Sequence, residues 1–424
     1  MDVRITKPIQ GGTVKAIASK SEAHRLLIGA ALSDSETSIK CSTRSQDIDA
    51  TARCLEALGA TIRYEQCEYT VTPINKCESD RHIVLDCGES GSTLRFLLPV
   101  CGALGLHGAF HMGGRLPARP LSPLYEAMVS HGCVLSEQGR SPLFCEGRLK
   151  NGTYAVPGGI SSQYISGLLF ALPLLAGDST IQAGALESRP YVDMTLDALR
   201  FFGIAVDEEG ENFIIKGGQK FNSPKTATVE GDWSNAAFWL AAGAIGQKEI
   251  TCTGLNLNSR QGDRAVIDML GRFGAKIATH DNTATIYPQN LRGIEIDAGD
   301  TPDLAPVLAA VAAVAEGKTV IGNAGRLRTK ESDRLHTVTA ALSALGADIA
   351  ETDDGLVIVG KKTLAGGETK SFGDHRIAMT AAVLSGACTG DVLIKNADAV
   401  NKSYPGFFGD FAELGGICSC SEVV

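Results

Sequence analysis

Apolar residues in this chain fall into two alternating kinds of stretch. In the first, nearly every position is apolar, as in 164–176, 236–245 and 304–315, and a helix of that composition is buried on all sides. In the second, apolar residues recur at helical spacing with polar residues between them: Leu335, Val338, Leu342 and Leu345 within 334–345, and a similar run in 47–58. This spacing predicts an amphipathic helix on the outside of its unit. Each amphipathic run ends at a glycine, predicted to adopt the left-handed conformation that closes a helix, and an alternating strand such as 60–64 or 348–350 follows. The glycines are Gly59, Gly132, Gly203, Gly274, Gly346 and Gly415, at gaps of 73, 71, 71, 72 and 69 residues. The apolar helices open in step with them, near Lys20, Gly91, Ser161, Ser234, Asp303 and His375, at gaps of 71, 70, 73, 69 and 72. Six copies of one strand-helix-strand-helix-strand-strand unit therefore account for nearly all 424 residues.

At 44.4 kDa the chain exceeds the usual size of a single core, so two lobes of three units each are expected. One lobe is read as 14–228 and the other as 1–13 plus 229–424, with crossings near Gln10-Gly11-Gly12 and in 225–232. Three buried parallel helices per lobe would point their N-termini into the cleft between the lobes. Each N-terminus carries about half a positive charge and unpaired N–H groups, so such a cleft binds anions before any side chain is counted.

A net charge of −9 argues against a general nucleic-acid or anionic-membrane surface. No stretch is long and apolar enough to span a bilayer, and the N-terminus runs directly into a strand pattern without a secretory layout, so a cytoplasmic location is expected. The twelve cysteines are scattered and form no Cys-x-x-Cys pair, which reads as reduced, buried thiols without a metal role.

The repeats differ most where they carry charge: 20–25 (Lys20, Ser21, Arg25), 89–95 with Gly91, Arg119 in its loop, Ser161-Ser162-Gln163, Asp303, Lys330-Glu331-Ser332-Asp333-Arg334, Asp374-His375-Arg376 and Lys402. Taken singly, each has an ordinary structural reading: Ser161 and Ser162 as a helix cap, 330–334 as a solvated first turn, His375 as a satisfied core imidazole, Gly91-Ser92 as a turn. Their recurrence at one phase of successive repeats is what chance surface charges would not produce. An exposed ion pair contributes only ~0–1 kcal/mol, whereas two unit charges ~4 Å apart in a partly desolvated cleft interact by ~4 kcal/mol, so clustered cations imply bound anions. Asp303 and Glu331 weaken a site meant only to hold anions but suit one that moves protons, which favours an enzyme over a binding module.

On these residues, together with Ser188-Arg189-Pro190-Tyr191 and Pro302-Asp303, the chain resembles the enolpyruvyl transferase family along its full length, and within it the 5-enolpyruvylshikimate-3-phosphate synthases. The resemblance implies an inside-out α/β barrel of two lobes, each with three βαβαββ units. It implies transfer of the enolpyruvyl group of phosphoenolpyruvate to the 5-hydroxyl of shikimate 3-phosphate, with release of phosphate and with no metal or cofactor. Shikimate 3-phosphate would be held mainly by the first lobe, through Lys20, Ser21, Arg25, Ser161, Ser162, Gln163, Ser188 and Tyr191, with Asp303 and Lys330. Phosphoenolpyruvate would be held by Lys20, Gly91, Arg119, Gln163, Arg334, Arg376 and Lys402. Glu331 would protonate carbon, Asp303 with Lys20 would take the hydroxyl proton, and His375 would position groups or assist. Lobe closure around the ligands is expected, with the two small molecules as partners of a monomer that binds neither nucleic acid nor membrane. Glu89, Ser92 and Phe96 depart from residues common in the family. The rival transfer to UDP-N-acetylglucosamine is opposed by the loop Gly113-Gly114-Arg115, which has no cysteine where that group often carries one. An anion- or RNA-binding repeat without catalysis is opposed by the acidic charge and by the two acids Asp303 and Glu331.

Overall fold

All six glycines expected to close the outer helices have positive φ: 112, 97, 80, 102, 99 and 84° in chain order. The computed structural model describes residues 1–74 and 82–421. Within them the helix-glycine-strand unit recurs as six four-stranded sheets of one design. In the second repeat, His82–Asp86 runs parallel to His107–His111, Leu143–Gly147 is antiparallel to the latter, and Cys133–Leu135 completes the edge. The third and fifth repeats are built in the same order from their own strands.

The other three sheets borrow strands from distant parts of the chain. Gly12–Lys15 pairs parallel with Ile250–Thr253 of the fourth repeat, and Thr226–Thr228 pairs parallel with Thr37–Lys40 of the first, so these two repeats exchange their opening strands. Asp2–Lys7 lies in the sixth sheet between Val392–Lys395 and Ile417–Ser421. The chain divides into two compact units, Lys20–Val229, and Met1–Ser19 with Glu230–Val424. The first boundary therefore falls at Ser19/Lys20 rather than at 13/14, because the pairing of Gly12–Lys15 and the bridge from Ala18 to Gly231 hold residues 14–19 in the second unit.

Each unit has its own inner helices. In the unit of Lys20–Val229 they are Lys20–Ala31, Gly91–Leu104 and Ser162–Ala171, with outer helices Gln46–Ala57, Leu124–Ser130 and Arg189–Phe201. Gly167 is required where two inner helices cross: a Cβ there would lie 2.1 Å from the Arg95 carbonyl oxygen, so any side chain would push the two backbones apart. In the other unit, Trp233–Ile245, Ala305–Ala312 and His375–Leu384 pack on one another. The last two are buried at every position: Ala305–Ala312 is apolar throughout, as such a helix must be to sit inside, whereas His375–Leu384 also buries His375, Arg376 and Thr380. Among the described residues no helix is long and apolar enough to cross a membrane. The eleven described cysteines are free thiols, and Cys77 lies outside the described residues.

The topology also fixes where helices begin. Within a repeat the first strand leads into the inner helix and the second into the outer helix, and these two strands are parallel. Both helices therefore start from the same end of the sheet. This corrects the expectation that the charged residues share one phase: Lys20, Gly91, Ser162, Asp303 and His375 sit at inner-helix starts, but Arg119, Ser188 and Lys330 to Asp333 precede outer helices and Arg334 opens one. Parallel pairing brings the two phases to one end of each sheet.

Candidate active site

In the unit of Met1–Ser19 and Glu230–Val424, the helix starts converge on one guanidinium. Asp303 sits on the short turn Pro302–Leu304 leading into an inner helix. Arg334 opens the outer helix Arg334–Ala344, and Asp374 is the N-cap of the inner helix His375–Leu384, accepting a bond from the Arg376 backbone N–H at 3.0 Å. Arg334 donates through all three of its nitrogens: Nε to Asp374 Oδ2 at 2.8 Å, Nη1 to Asp303 Oδ1 at 2.7 Å and Nη2 to Glu331 Oε2 at 2.6 Å. Asp303 is shared further, with Arg376 Nη2 at 3.1 Å and Lys330 Nζ at 3.6 Å. Three carboxylates thus meet three cations, as a buried charge cluster must be balanced to persist. Ser332 Oγ donates to Asp374 Oδ2 at 3.0 Å, and Lys402 Nζ donates to the Gly373 carbonyl at 2.6 Å, just before this helix start.

The electrostatics follow from this geometry. Burial alone would raise the pKa of Asp303, but Arg376, Lys330 and Arg334 outweigh it and hold the carboxyl well below its ordinary range. Asp374 is likewise lowered, with Arg334 overcoming burial. Asp263, buried and hydrogen-bonded by Ser234 Oγ, moves the other way: burial, then the negative charge of Asp303, push it up to about 6. His375 is buried, its Nδ1 3.9 Å from Asp374 Oδ1.

The unit of Lys20–Val229 carries a second group of residues. At the start of Gly91–Leu104, a Cβ on Gly91 would lie 2.5 Å from Arg95 Nη1 and 2.7 Å from Arg119 Nη1, so both guanidiniums rest against the bare backbone of that glycine. Arg95 donates to Gln163 Oε1 at 3.0 Å and to the Pro120 carbonyl at 2.9 Å, and Gln163 Nε2 donates to Ser92 Oγ at 3.0 Å. Gly113 N–H bonds the Gly88 carbonyl at 2.7 Å, and Glu89 packs on Gly114, which ties the Arg119 loop to this helix start. Lys20 pairs with Asp47 at 2.7 Å. Arg25 is buried and donates to Thr195 Oγ1 at 2.8 Å, the Ser21 carbonyl at 2.6 Å and the Tyr191 carbonyl at 2.7 Å, which joins Ser21 and Tyr191 to it. Burial draws its pKa down to about 10, still charged at neutral pH. Ser161 caps the helix Ser162–Ala171, accepting from Gln163 N–H at 3.3 Å. Ser188 holds φ of 55° immediately before the helix Arg189–Phe201, a strained conformation for serine.

Four charged groups in these clusters receive no role from sequence: Asp374 and Arg95, which lie in the charged stretches named above, and Asp263 and Asp47, which do not. Asp374 and Arg95 had a signal, one as an N-cap letter before an apolar helix and the other one turn after Gly91. Asp47 and Asp263 are read only from their contacts.

The model of the EPSP synthase (3-phosphoshikimate 1-carboxyvinyltransferase) family matches residues 3–411. A 3-phosphoshikimate 1-carboxyvinyltransferase of Clostridium kluyveri is 44% identical over 411 residues, covering 96% of this chain and 95% of its own. One from Clostridium perfringens is 45% identical over 419 residues, 98% of each. An EPSP synthase structure from Acinetobacter baumannii superposes with a TM-score of 0.81 at 25% identity over 100% of both chains. The enolpyruvyl transferase NikO of Streptomyces tendae shares the fold, at a TM-score of 0.79 and 18% identity over 99% of this chain and 98% of its own. With the family match spanning the repeats and relatives this similar over nearly their whole length, the chain belongs to the EPSP synthase (3-phosphoshikimate 1-carboxyvinyltransferase) family.

Proposed function

We propose that this enzyme transfers the enolpyruvyl group of phosphoenolpyruvate to the 5-hydroxyl of shikimate 3-phosphate, releasing phosphate, and that the residues assembled at the helix starts carry the reaction. The observation that carries this assignment of residues is the cluster in which Arg334 joins Asp303, Glu331 and Asp374. It combines cations suited to an anionic substrate with two carboxylates able to move protons.

Both substrates are multiply negative, and fixed cations offset their repulsion as they are brought together. Shikimate 3-phosphate is assigned to Lys20, Ser21, Arg25, Ser161, Ser162, Gln163, Ser188 and Tyr191, with Asp303 and Lys330. Phosphoenolpyruvate is assigned to Lys20, Gly91, Arg119, Gln163, Arg334, Arg376 and Lys402. Glu331, in its acid form, gives a proton to the methylene carbon, and the neighbouring carbon becomes electrophilic. The 5-hydroxyl oxygen attacks that carbon as its proton passes to Asp303, assisted by Lys20, and a tetrahedral adduct forms. Loss of phosphate from the adduct, with return of a methyl proton to Glu331 and transfer of the Asp303 proton to the departing phosphate, restores the double bond in the product and resets both groups. His375, buried beside Asp374, is assigned to positioning. A monomer in the cytoplasm is the proposed setting.

Phosphate release from phosphoenolpyruvate tests the assignment in three parallel reactions: with shikimate 3-phosphate, with UDP-N-acetylglucosamine, and with neither. Release is expected in the first alone, and its absence there would sink the proposal. Gly91→Ala is a sharper probe of the anion contacts. The three nearest atoms to the added methyl belong to the guanidiniums of Arg95 and Arg119, and since Arg95 is buried and bonded to Gln163 and Pro120 the melting temperature should fall modestly while the chain still folds. Displacing Arg95 and Arg119 by about 1 Å should nevertheless raise KM for phosphoenolpyruvate roughly 10- to 100-fold, measured by steady-state kinetics with shikimate 3-phosphate saturating.

A further inference from the structure

The side chains around Arg334 are layered by exposure. Asp374 is 0% and Arg334 1% exposed, whereas Glu331 and Asp303 are 17% and 19% exposed. Asp374 therefore lies on the protein side of the guanidinium, and the other two carboxylates cover it from the solvent side. Asp303 on Nη1 and Glu331 on Nη2 hold the two terminal nitrogens to which an anion would bind, so an anion that takes either place competes with a resident carboxylate. Asp303 also pairs with Arg376 and Lys330, so displacing it takes a shared carboxylate from three cations at once.

We propose that Asp303 and Glu331 are resident competitors of the anionic substrate and set the specificity of the site: they keep ambient monoanions off Arg334 and yield to a ligand that brings both a carboxylate and a phosphate. This rests on the assignment above of Arg334 and Arg376 to phosphoenolpyruvate. A monoanion such as chloride has one charge with which to replace a carboxylate that bridges three cations, and it costs that partly buried carboxylate its pairing with all three. Phosphoenolpyruvate carries enough charge to satisfy the guanidiniums vacated by both acids. Its arrival also frees Asp303 to act as a base and lets Glu331, no longer held as a carboxylate by Arg334 and now beside the ligand's negative charge, take up a proton from water and act as the acid, so anion selection and the readying of acid and base are one event.

The test runs opposite to the usual expectation for a site residue. Asp303→Asn and Glu331→Gln are each expected to bind phosphoenolpyruvate tighter than wild type, by roughly tenfold or more, in calorimetry without shikimate 3-phosphate. Sodium chloride should compete more strongly in both variants than in wild type, relative to sodium gluconate, a bulky monoanion, at equal ionic strength. Thermal melts with and without phosphoenolpyruvate check that the variants fold, and the ligand-induced rise in melting temperature should be larger in them. Unchanged or weaker binding in folded variants overturns the inference. Wild-type phosphate release, assayed alongside, separates that outcome from failure of the functional assignment: turnover by wild type with no tightening in the variants removes only the competitor role.

Discussion

Asp374→Ala is expected to cost roughly 3–5 kcal/mol of stability, the usual penalty for removing one partner of a buried ion pair. Asp374 is wholly buried and receives Nε of Arg334 at 2.8 Å, Ser332 Oγ at 3.0 Å and the capping N–H of Arg376 at 3.0 Å. Truncation leaves Arg334 charged, buried and short of one carboxylate, and it also uncaps the helix His375–Leu384, a loss of about 1 kcal/mol by itself. Asp374→Asn should cost less, because the amide oxygen can still accept from one donor. The pH dependence separates the charge from the cap. Burial would raise the pKa of Asp374, but Arg334 prevails and lowers it in the folded chain. A carboxyl lowered on folding contributes stability that is fully present above its unfolded pKa of about 3.9 and is lost as pH falls through the folded value. Urea midpoints of wild type and Asp374→Ala should therefore differ by a constant amount between about pH 5 and 8 and draw together below about pH 4. A difference that persisted unchanged into acid would assign the loss to the cap and packing rather than to charge.

Much of this arrangement was legible in the chain because the signals are local. Gly59, Gly132, Gly203, Gly274, Gly346 and Gly415 end helices for a backbone reason, so their periodicity transferred directly to structure. The inner helices were legible because unbroken apolarity such as 305–312 has one stable environment. The exchange of Gly12–Lys15 and Thr226–Thr228 was not, since a three- or four-residue strand pairs with partners about 190 to 240 positions away and nothing in its own pattern names them. The same holds for Asp2–Lys7 in the sixth sheet. At the site, residue types were readable but their pairing was not. Arg334 looked like one cation among several, and only the fold encloses it with three acids. Asp263 had no signal at all: its raised pKa comes from burial and from Asp303, forty positions further along.

Glu331→Gln is expected to lower turnover by roughly 10²- to 10⁴-fold, the range for loss of a positioned general acid. The substitution is nearly isosteric, and its amide oxygen can still accept the Nη2 bond that Arg334 now gives Glu331 at 2.6 Å, so the proton is removed while the cluster keeps its shape. Asp303→Asn should fall as far for a different reason. In the ligand-free chain Asp303 is a weak base because Arg376, Lys330 and Arg334 hold it against the cost of burial, and in its proposed role it would become effective only as an anionic substrate took over those cations. A rate alone would not distinguish the two roles, but isotope exchange does. If Glu331 protonates the methylene carbon, the adduct carries a methyl group, and its reversal in D₂O returns phosphoenolpyruvate with deuterium on that carbon. Recovered phosphoenolpyruvate from wild type with shikimate 3-phosphate should therefore become deuterated, and Glu331→Gln should suppress exchange by the same factor as turnover. Exchange at the wild-type rate in a variant with little turnover would place the carbon proton on another group and leave Glu331 with binding and positioning alone.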